Sequence, residues 1–167
     1  MKNFKEIKPE ELADNPFKLI GKDWTLITAG NAGSWNTMTA SWGGFGVLWN
    51  KPVATIYVRP TRYTYDFMER EELFTLSFFT EEYRKALNFC GAKSGRDYDK
   101  AKETGLTSVE CEASVTFQES KLVMVCKKIY YQDMENVNFL DEDIEKFYAA
   151  KDYHRIYVGE ILKTFAK

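Results

Sequence analysis

The sequence predicts a mainly antiparallel β-domain, either a barrel or a sandwich, with helices at its periphery. Segments of 6–10 residues are rich in Thr, Val, Ile and aromatic residues, and they end at Gly, Pro, Asn or Ser, as strands do. Few helical stretches separate these segments, which favours antiparallel neighbours. The 167 residues are 44% apolar and 16% aromatic, which is enough for one packed core. We therefore expect a single domain spanning residues 1–167.

The first half of the chain contains four predicted strands and two short helical segments. Lys8–Phe17 is a predicted leading helix that stops at Pro16. Thr64–Glu71 is typical of one or two helical turns. The four predicted strands are Asp23–Asn31, Ser34–Gly44, Pro52–Pro60 and Leu73–Phe79. In the second strand, strict alternation would place three hydroxyls on one face and three apolar side chains on the other: Thr37, Thr39 and Ser41 against Met38, Ala40 and Trp42.

The second half adds helices between its strands. Thr80 is a predicted N-cap for a helix that ends at Gly91, and a loop then leads to a short helix that stops at Gly105. A hairpin is expected across the Glu-Ser-Lys turn at residues 119–121. The remaining predictions are the two hairpin strands Glu112–Ser120 and Lys121–Met134, a helix over Asp141–Lys151 and a final strand over Tyr153–Leu162.

Composition excludes several classes of function. There are 23 basic and 25 acidic residues, a net charge of -2, so the chain lacks the basic excess typical of nucleic-acid binding. The cysteines, Cys90, Cys111 and Cys126, are odd in number and widely spaced, which argues against a disulfide framework or a metal site and fits a reducing cytosol. Cytoplasmic localisation is therefore expected.

The segment Trp24–Asn50 carries no charge, in a chain that is 29% charged. Its length raises the question of a membrane span, but five glycines and repeated Asn, Ser and Thr argue against one. All four tryptophans also lie in it. Short hydroxyls, bare backbone and aromatic surface suit a flat ligand with a polar edge. The alternative is a buried barrel strand with a glycine-rich connection.

Two further segments carry phosphate-capable donors. The sequence RPTRYT, Arg59–Thr64, follows a strand and opens a helical turn, where arginine forks and threonine hydroxyls can hold a phosphate. Ser94, Arg96 and Lys100 lie on a glycine-containing loop. Solvated turns remain the alternative at both places. His154 is the only histidine, the one side chain whose ordinary pKa lies near physiological pH, and a structural role is its alternative.

No GxGxxG, P-loop, GxSxG or HExxH motif is present. The combination NTMTASW, KPVATIYVRPTRYTYDFM, FTLSFF and FCGAKSGRDYDKAKETGL, however, resembles the flavin reductase-like family with the FMN-binding split-barrel fold. The form CGAKSGRDYDK is most similar to its flavoredoxin-like branch. The similarity runs from about Trp24 to about Leu106, with a weaker match in YHRIYVGEIL.

This resemblance implies an antiparallel Greek-key split β-barrel that binds FMN as a homodimer, with each flavin near the subunit interface. Asn36–Ser41 would run beside the ring and ribityl chain. Arg59, Thr61 and Thr64 would hold the phosphate or its neighbourhood, and the loop donors Ser94, Arg96 and Lys100 would close the phosphate end or be contributed near the dimer seam. His154 matches a histidine near the nicotinamide face. The implied cofactor-binding residues are Asn36, Thr37, Met38, Thr39, Ala40, Ser41, Trp42, Arg59, Thr61, Tyr63, Thr64, Ser94, Arg96 and Lys100, with His154 catalytic.

One departure from the family pattern is the bulky aromatic connection WGGFGVLWN after the T-A-S element. It leaves the electron donor and acceptor open.

The resemblance supports three hypotheses. The first is an FMN-dependent oxidoreductase that takes hydride from NAD(P)H and passes electrons to a flavin, a metal complex or a protein acceptor. The second is a flavoredoxin-like electron carrier with tightly bound FMN and no catalysis. The third is an interaction protein that has kept the barrel and lost the cofactor.

Overall fold

The structure, a computed structural model, describes residues 1–167 and is built mainly of β-strands. Two α-helices, α2 (Tyr63–Arg70) and α3 (Arg84–Ala92), are longer than one turn and a half. The strands are β1 Lys5–Ile7, β2 Thr25–Asn31, β3 Ser34–Ala40, β4 Gly43–Leu48, β5 Lys51–Val58, β6 Leu73–Phe78, β7 Ser108–Cys111, β8 Ser114–Phe117, β9 Leu122–Asp133 and β10 Arg155–Ala166. The short helices are α1 Pro16–Lys18 and α4 Lys100–Thr104.

Every strand pair is antiparallel. The large sheet has the order β3-β2-β6-β9-β10-β5-β4, with β1 beside β10, and β7 and β8 form a separate hairpin. Strands β3 and β4 follow each other in the chain but lie at opposite ends of this order. The sheet must therefore curl until its two ends approach each other. This confirms the predicted antiparallel β-architecture with peripheral helices.

The interior has two parts. A main cluster of 19 buried residues, among them Phe74, Met124 and Tyr157, fills the curled sheet. A smaller cluster packs α3 against the outside of β2 and β8 through Leu26, Leu87 and Phe117. The second cluster fixes α3 beside β3, and the C-terminal end of this helix then faces the edge of the sheet. No helix is long and apolar enough to cross a membrane.

Four predictions about local structure are wrong. Pro16 begins α1 rather than ending a helix, because Asn15 caps the turn that follows it. Gly91 lies inside α3, where its missing side chain makes room for Thr39. Residues 112–120 do not pair with the next strand: β8 pairs with β7. The predicted helix Asp141–Lys151 is reduced to a 3₁₀ segment, Glu142–Phe147.

Apart from the predicted strand Ser34–Gly44, the other elements agree with their predictions to within a few residues. Strands β2, β5, β6 and β10 lie where alternation places them. Gly105 ends α4 with a left-handed φ of 71°, which glycine adopts without steric cost. Gly43 and Gly44 begin a new strand, so the predicted strand Ser34–Gly44 is broken in two at Ser41 and Trp42.

Candidate functional site

The candidate site lies at the seam between the two ends of the sheet. Ala40 ends β3 and Gly43 begins β4, and only Ser41 and Trp42 connect them. Such a link spans at most about 11 Å. The two edges therefore meet here, yet no ladder joins β3 to β4. Unpaired backbone and hollows between the edges follow from this split.

One hollow, which we call the seam hollow, has a volume of about 180 Å³. One wall consists of the link Ser41–Trp42 and the end of β3. The other consists of the end of β5 and of His154, which directly precedes β10. No carboxylate lines it. Its residues are Met38, Thr39, Ala40, Ser41, Trp42, Tyr57, Arg59, Arg62 and His154.

A second hollow, which we call the cationic hollow, has a volume of about 120 Å³ and shares Met38 and Arg62 with the first. It lies between β3, the start of α2 and the loop after α3. Three cationic side chains and no acidic one line it. Its residues are Asn36, Met38, Thr61, Arg62, Tyr63, Thr64, Ala92, Lys93, Ser94, Gly95 and Lys100.

Lys100 is a buried cation without a carboxylate partner. Its side chain is 5% exposed, and Nζ donates to the carbonyl of Thr37 at 2.7 Å and to that of Cys90 at 2.8 Å. Burial lowers the pKa of Lys100 to about 8, and the positive charge of Arg62 adds to this effect. An anion in the cationic hollow would relieve both penalties.

Arg62 occupies the boundary between the two hollows. Its guanidinium donates to the carbonyl of Gly91 at 2.6 Å. Burial lowers the pKa of Arg62, and the charge of Arg59 lowers it further. The carbonyls of Cys90 and Gly91 belong to the last turn of α3, where the helix dipole is negative. Backbone carbonyls at the C-terminus of α3, rather than carboxylates, thus accept hydrogen bonds from Arg62 and Lys100.

Asn36 connects β3 with the start of α2. Its amide oxygen, facing the helix, accepts from the backbone N–H of Thr64 at 3.1 Å and from the Thr64 hydroxyl at 2.7 Å. A Cβ on Gly95 would lie 1.8 Å from the end of this amide, so only glycine lets the loop approach. These contacts place the loop donor Ser94 and the helix start on either side of one hollow.

The hydroxyls of β3 are used inside the protein, which corrects the expected hydroxyl wall. Thr37 Oγ1 lies 2.8 Å from Thr28 Oγ1 on the neighbouring strand, and Thr39 Oγ1 donates to the carbonyl of Leu87 in α3. This face of β3 is covered by α3, because the smaller apolar cluster attaches the helix there. Of the three residues, only Ser41 is left with its hydroxyl unbonded at the seam.

Arg59 lies in the seam hollow and outside the cationic one. Its guanidinium donates to Asp152 at 2.6 Å and to the carbonyl of Phe147 at 2.7 Å, and it covers the Tyr148 ring at 4.9 Å. Thr61 contacts the same carboxylate at 3.4 Å. These contacts fasten the turn before β10 and do not favour the expected phosphate role of Arg59.

His154 is buried beside this turn. Its Nδ1 lies 2.8 Å from the Tyr148 hydroxyl, and its ring is 5.3 Å from that of Trp42. Burial lowers the pKa of His154 to about 4, and the charge of Arg59 contributes in the same direction. The imidazole is therefore neutral at physiological pH.

Among the other predicted residues, Arg96 lines neither hollow. It pairs with Asp66 at 2.8 Å and covers the Tyr63 ring at 4.6 Å on the protein surface. Sequence reasoning missed Arg62 and Lys93, although both lie in segments it selected. The available signals were the predicted helix start after RPT, which places Arg62 directly before α2, and the loop start after α3, which places Lys93 directly after that helix. Each side chain therefore lies at the end of an element.

An apolar groove of about 880 Å³ adjoins the seam hollow through Ser41, Trp42 and Tyr57. The segment between β9 and β10 forms its far wall with Phe139, Ile144, Phe147 and Tyr148, and Phe17 and Ile20 lie on the other side. Aromatic and aliphatic lining with a few polar groups is typical of small-molecule sites.

Comparison with known proteins adds the evolutionary context. Residues 18–165 match the sequence model described as the flavin reductase like domain. A comparison with curated protein sequences gives no match.

Solved structures show the same fold at low sequence identity. An FMN-binding domain of a flavin reductase-like enzyme from Shewanella baltica has a TM-score of 0.71 at 17% identity, over 98% of this chain and 77% of its own. Flavoredoxin of Desulfovibrio vulgaris has 0.69 at 21%, over 96% and 77%. An NADH:FAD oxidoreductase of Streptomyces globisporus, in complex with NAD and FAD fragments, has 0.65 at 16%, over 87% and 74%. With nearly its whole length matched by the family model and its split-barrel fold, the chain belongs to the flavin reductase-like family.

Proposed function

We propose that this protein binds FMN across the cationic and seam hollows and acts as an NAD(P)H-dependent oxidoreductase of the flavin reductase type. One observation carries the proposal: a hollow lined by three cations and no acid shares Met38 and Arg62 with a second hollow, one wall of which, Thr39–Trp42, carries no charge. A planar ring with a phosphate tail has the complementary shape and charge.

Arg62, Lys93 and Lys100 would hold the phosphate, with Ser94 and the start of α2 supplying further donors. The Arg62 guanidinium has five N–H groups and gives one bond to Gly91, so donors remain for an anion. Lys100 likewise keeps one of its three ammonium hydrogens. The carbonyls at the end of α3 already accept hydrogen bonds from Arg62 and Lys100 and offset part of their charge. These two side chains are therefore in position before the ligand arrives.

The seam hollow would take the ring. Bound FMN supplies hydride and electron transfer, and the protein contributes position and electrostatics. The wall Thr39–Trp42 offers backbone groups and no fixed charge, Trp42 and Tyr57 offer aromatic surface, and His154 offers a neutral imidazole. The apolar groove next to it would exclude water and admit a second planar substrate, with NADH or NADPH as the donor.

The test is a titration of purified protein with FMN, followed by absorption spectra under anaerobic conditions before and after NADH or NADPH. We expect saturable, stoichiometric binding and bleaching of the flavin band by at least one nicotinamide. Absence of FMN binding would refute the proposal. Binding without reduction by either nucleotide would refute the reductase role alone.

The second candidate is a flavoredoxin-like carrier that exchanges electrons with proteins. Exposed apolar residues on the strand that follows the seam link favour it: Val47 is 78% exposed and Trp49 59%, on and just beyond β4. Large exposed apolar side chains of this kind often anchor protein partners. Tight FMN binding together with slow reduction by both nicotinamides, and fast reduction by a protein donor, would distinguish the carrier.

We also propose that the protein is a cytoplasmic homodimer that associates through the β4 edge. A terminal strand presents unpaired backbone groups, and this one carries apolar side chains toward solvent. The start of β4 lines the apolar groove through Gly43, Gly44 and Phe45, and Trp42, which precedes β4, lines both this groove and the seam hollow. A second copy placed there would help to enclose the flavin. The three cysteines of the chain are free and buried, which is compatible with a reducing compartment.

A further inference from the structure

The turn between the 3₁₀ segment and β10 brings a tyrosine hydroxyl against the single histidine. Tyr148 is 4% exposed and His154 7%. The turn is closed by the bond from the Lys151 N–H to the Tyr148 carbonyl at 2.8 Å, and Arg59 holds it from outside through Phe147 and Asp152. The contact between the two rings is thus fixed by several independent bonds.

The phenolic hydroxyl of Tyr148 has one hydrogen and two candidate acceptors. His154 Nδ1 lies at 2.8 Å, and the sulfur of Met134 lies at 3.5 Å. A thioether is a weak acceptor, whereas an unprotonated imidazole nitrogen is a good one. The hydrogen therefore goes to Nδ1. Burial raises the pKa of Tyr148, so that the phenol keeps this hydrogen.

The second nitrogen of the ring has a different environment. Nδ1 is the only ring nitrogen of His154 with a hydrogen-bond partner in the protein. The ring lines the seam hollow, together with Arg59, Arg62 and Tyr57. The two arginines oppose protonation of the imidazole, and Asp152, which favours it, is occupied by Arg59. In a neutral ring whose Nδ1 accepts, Nε2 carries the hydrogen.

We propose that Tyr148 is a positioning residue: its hydroxyl fixes the His154 tautomer whose Nε2–H donates into the seam hollow, to a carbonyl oxygen of a bound ligand. The ligand part rests on the proposed function, because both a flavin ring and a nicotinamide carboxamide carry such an oxygen. The assignment of the His154 tautomer does not depend on the proposed function. A neutral donor can bind an uncharged carbonyl while the neighbouring arginines supply the positive field.

Because His154 is the only histidine, a long-range ¹H–¹⁵N spectrum of ¹⁵N-labelled, FMN-free protein contains a single imidazole. We expect the pattern of a neutral ring protonated on Nε2 from about pH 6 to pH 8. A ring protonated on Nδ1, an even mixture of tautomers or a charged ring at the lower pH would overturn the proposal. Wild-type protein suffices for this measurement.

Two variants test the cause. In Tyr148→Phe the tautomer preference should fall at least threefold, toward a mixture, since the hydrogen bond that sets it is gone. Tyr153→Phe is the matched control, because Tyr153 is the adjacent tyrosine and its hydroxyl bonds to Glu145. An unchanged tautomer in Tyr148→Phe, or an equal change in Tyr153→Phe, would overturn the role of Tyr148.

Ligand additions identify the source of the oxygen. Two additions should be compared: FMN alone to the FMN-free protein, and oxidised nicotinamide dinucleotide to the FMN-loaded protein. The Nε2–H signal should shift with one of them. If neither addition moves it although FMN binds, the donor role is wrong. If FMN does not bind at all, the proposed function fails, while the tautomer has already been decided in the FMN-free protein.

Discussion

Arg59 and Arg62 are three positions apart, yet their side chains serve different purposes. Arg59 is paired with Asp152 and also donates to the Phe147 carbonyl. Arg62 gives one bond to Gly91 and lines both hollows. A sequence motif with two arginines could not distinguish them, because the difference depends on which distant segment each one meets. Asp152 is 93 residues from Arg59.

The two arginines should therefore differ in their effect on FMN binding. Arg62→Ala should weaken FMN binding by on the order of 1.5–3 kcal/mol, the usual loss for a hydrogen bond to a charged group. Arg59→Ala should cost clearly less, since the charge of Arg59 is already paired with Asp152 and the side chain does not line the cationic hollow. Fluorescence titration of FMN with each variant measures both effects. A larger loss in Arg59→Ala would return the phosphate to the position first expected from the sequence.

If Lys100 faces the phosphate as proposed, FMN binding should depend on pH. Burial lowers its pKa to about 8 in the free protein, and a bound phosphate should raise this pKa again. Above pH 8 the free protein has lost the proton that the complex keeps, so binding must recover it. The FMN dissociation constant should then rise about tenfold between about pH 7 and pH 9.

The control for this prediction is Lys100→Met, which cannot titrate. Its FMN affinity should be lower at neutral pH and nearly flat over the same range. A wild-type affinity that falls no more steeply than that of Lys100→Met would show that Lys100 does not face the phosphate.

At the scale of the elements, alternation and turn residues were sufficient for most of the longer strands, but not for the short strands β1 and β7, the break between β3 and β4, or the segments that pack against the sheet. Strands β2, β5, β6 and β10 are recognisable because each is bounded by turn residues and packs on one core. The pairing partner of β8 could not be recognised in the same way. A short turn suggested a hairpin with β9, whereas β9 pairs with β6 and β10. Pairing partners depend on the curled sheet as a whole.

The candidate site was predicted to a similar extent. Asn36, Thr64, Ser94 and Lys100 meet in one hollow, as their motifs suggested. The hydroxyls of Thr37 and Thr39 were assigned to the ligand, because period-two alternation shows that they share a face but not what covers it. The helix α3 covers it, through contacts more than 40 residues away in sequence.

The loop after α3 depends on Gly95 for its approach to β3. In Gly95→Ala the new Cβ would overlap the Asn36 amide, which also contacts Thr64 at the start of α2. We expect a loss of about 1–3 kcal/mol in the free energy of unfolding and weaker FMN binding. Gly33→Ala, in the turn between β2 and β3, is the control: the only atom within 4 Å of its added Cβ is Asn31 Oδ1 at 3.5 Å, an ordinary contact distance. Urea unfolding of both variants gives the comparison, and equal stability would mean that the loop adapts freely.

At the scale of the whole molecule, the order of the strands explains why the site lies at the seam. A fully closed barrel satisfies its edge strands, and here β3 and β4 remain unpaired with each other. On the β3 side, α3 and the loop with Gly95 cover the edge and bring the cations. On the β4 side, only α1 and Ile20 lie near the start of the strand, and Val47 and Trp49 at its other end stay exposed. Ligand binding and self-association would thus use the same opening.

This asymmetry predicts where two chains meet. Val47→Asp should dissociate the homodimer, because it places a charge in an interface that buries apolar side chains. Light scattering after gel filtration should give twice the 19.4 kDa chain mass for the wild type and the single mass for the variant at micromolar concentration. Val137→Asp, a change at another exposed valine in the segment between β9 and β10, is the matched control and should remain dimeric. A monomeric wild type would refute the proposed dimer. Dissociation by Val137→Asp alone would place the interface on the segment between β9 and β10, and the β4 edge would then be free for an electron-transfer partner.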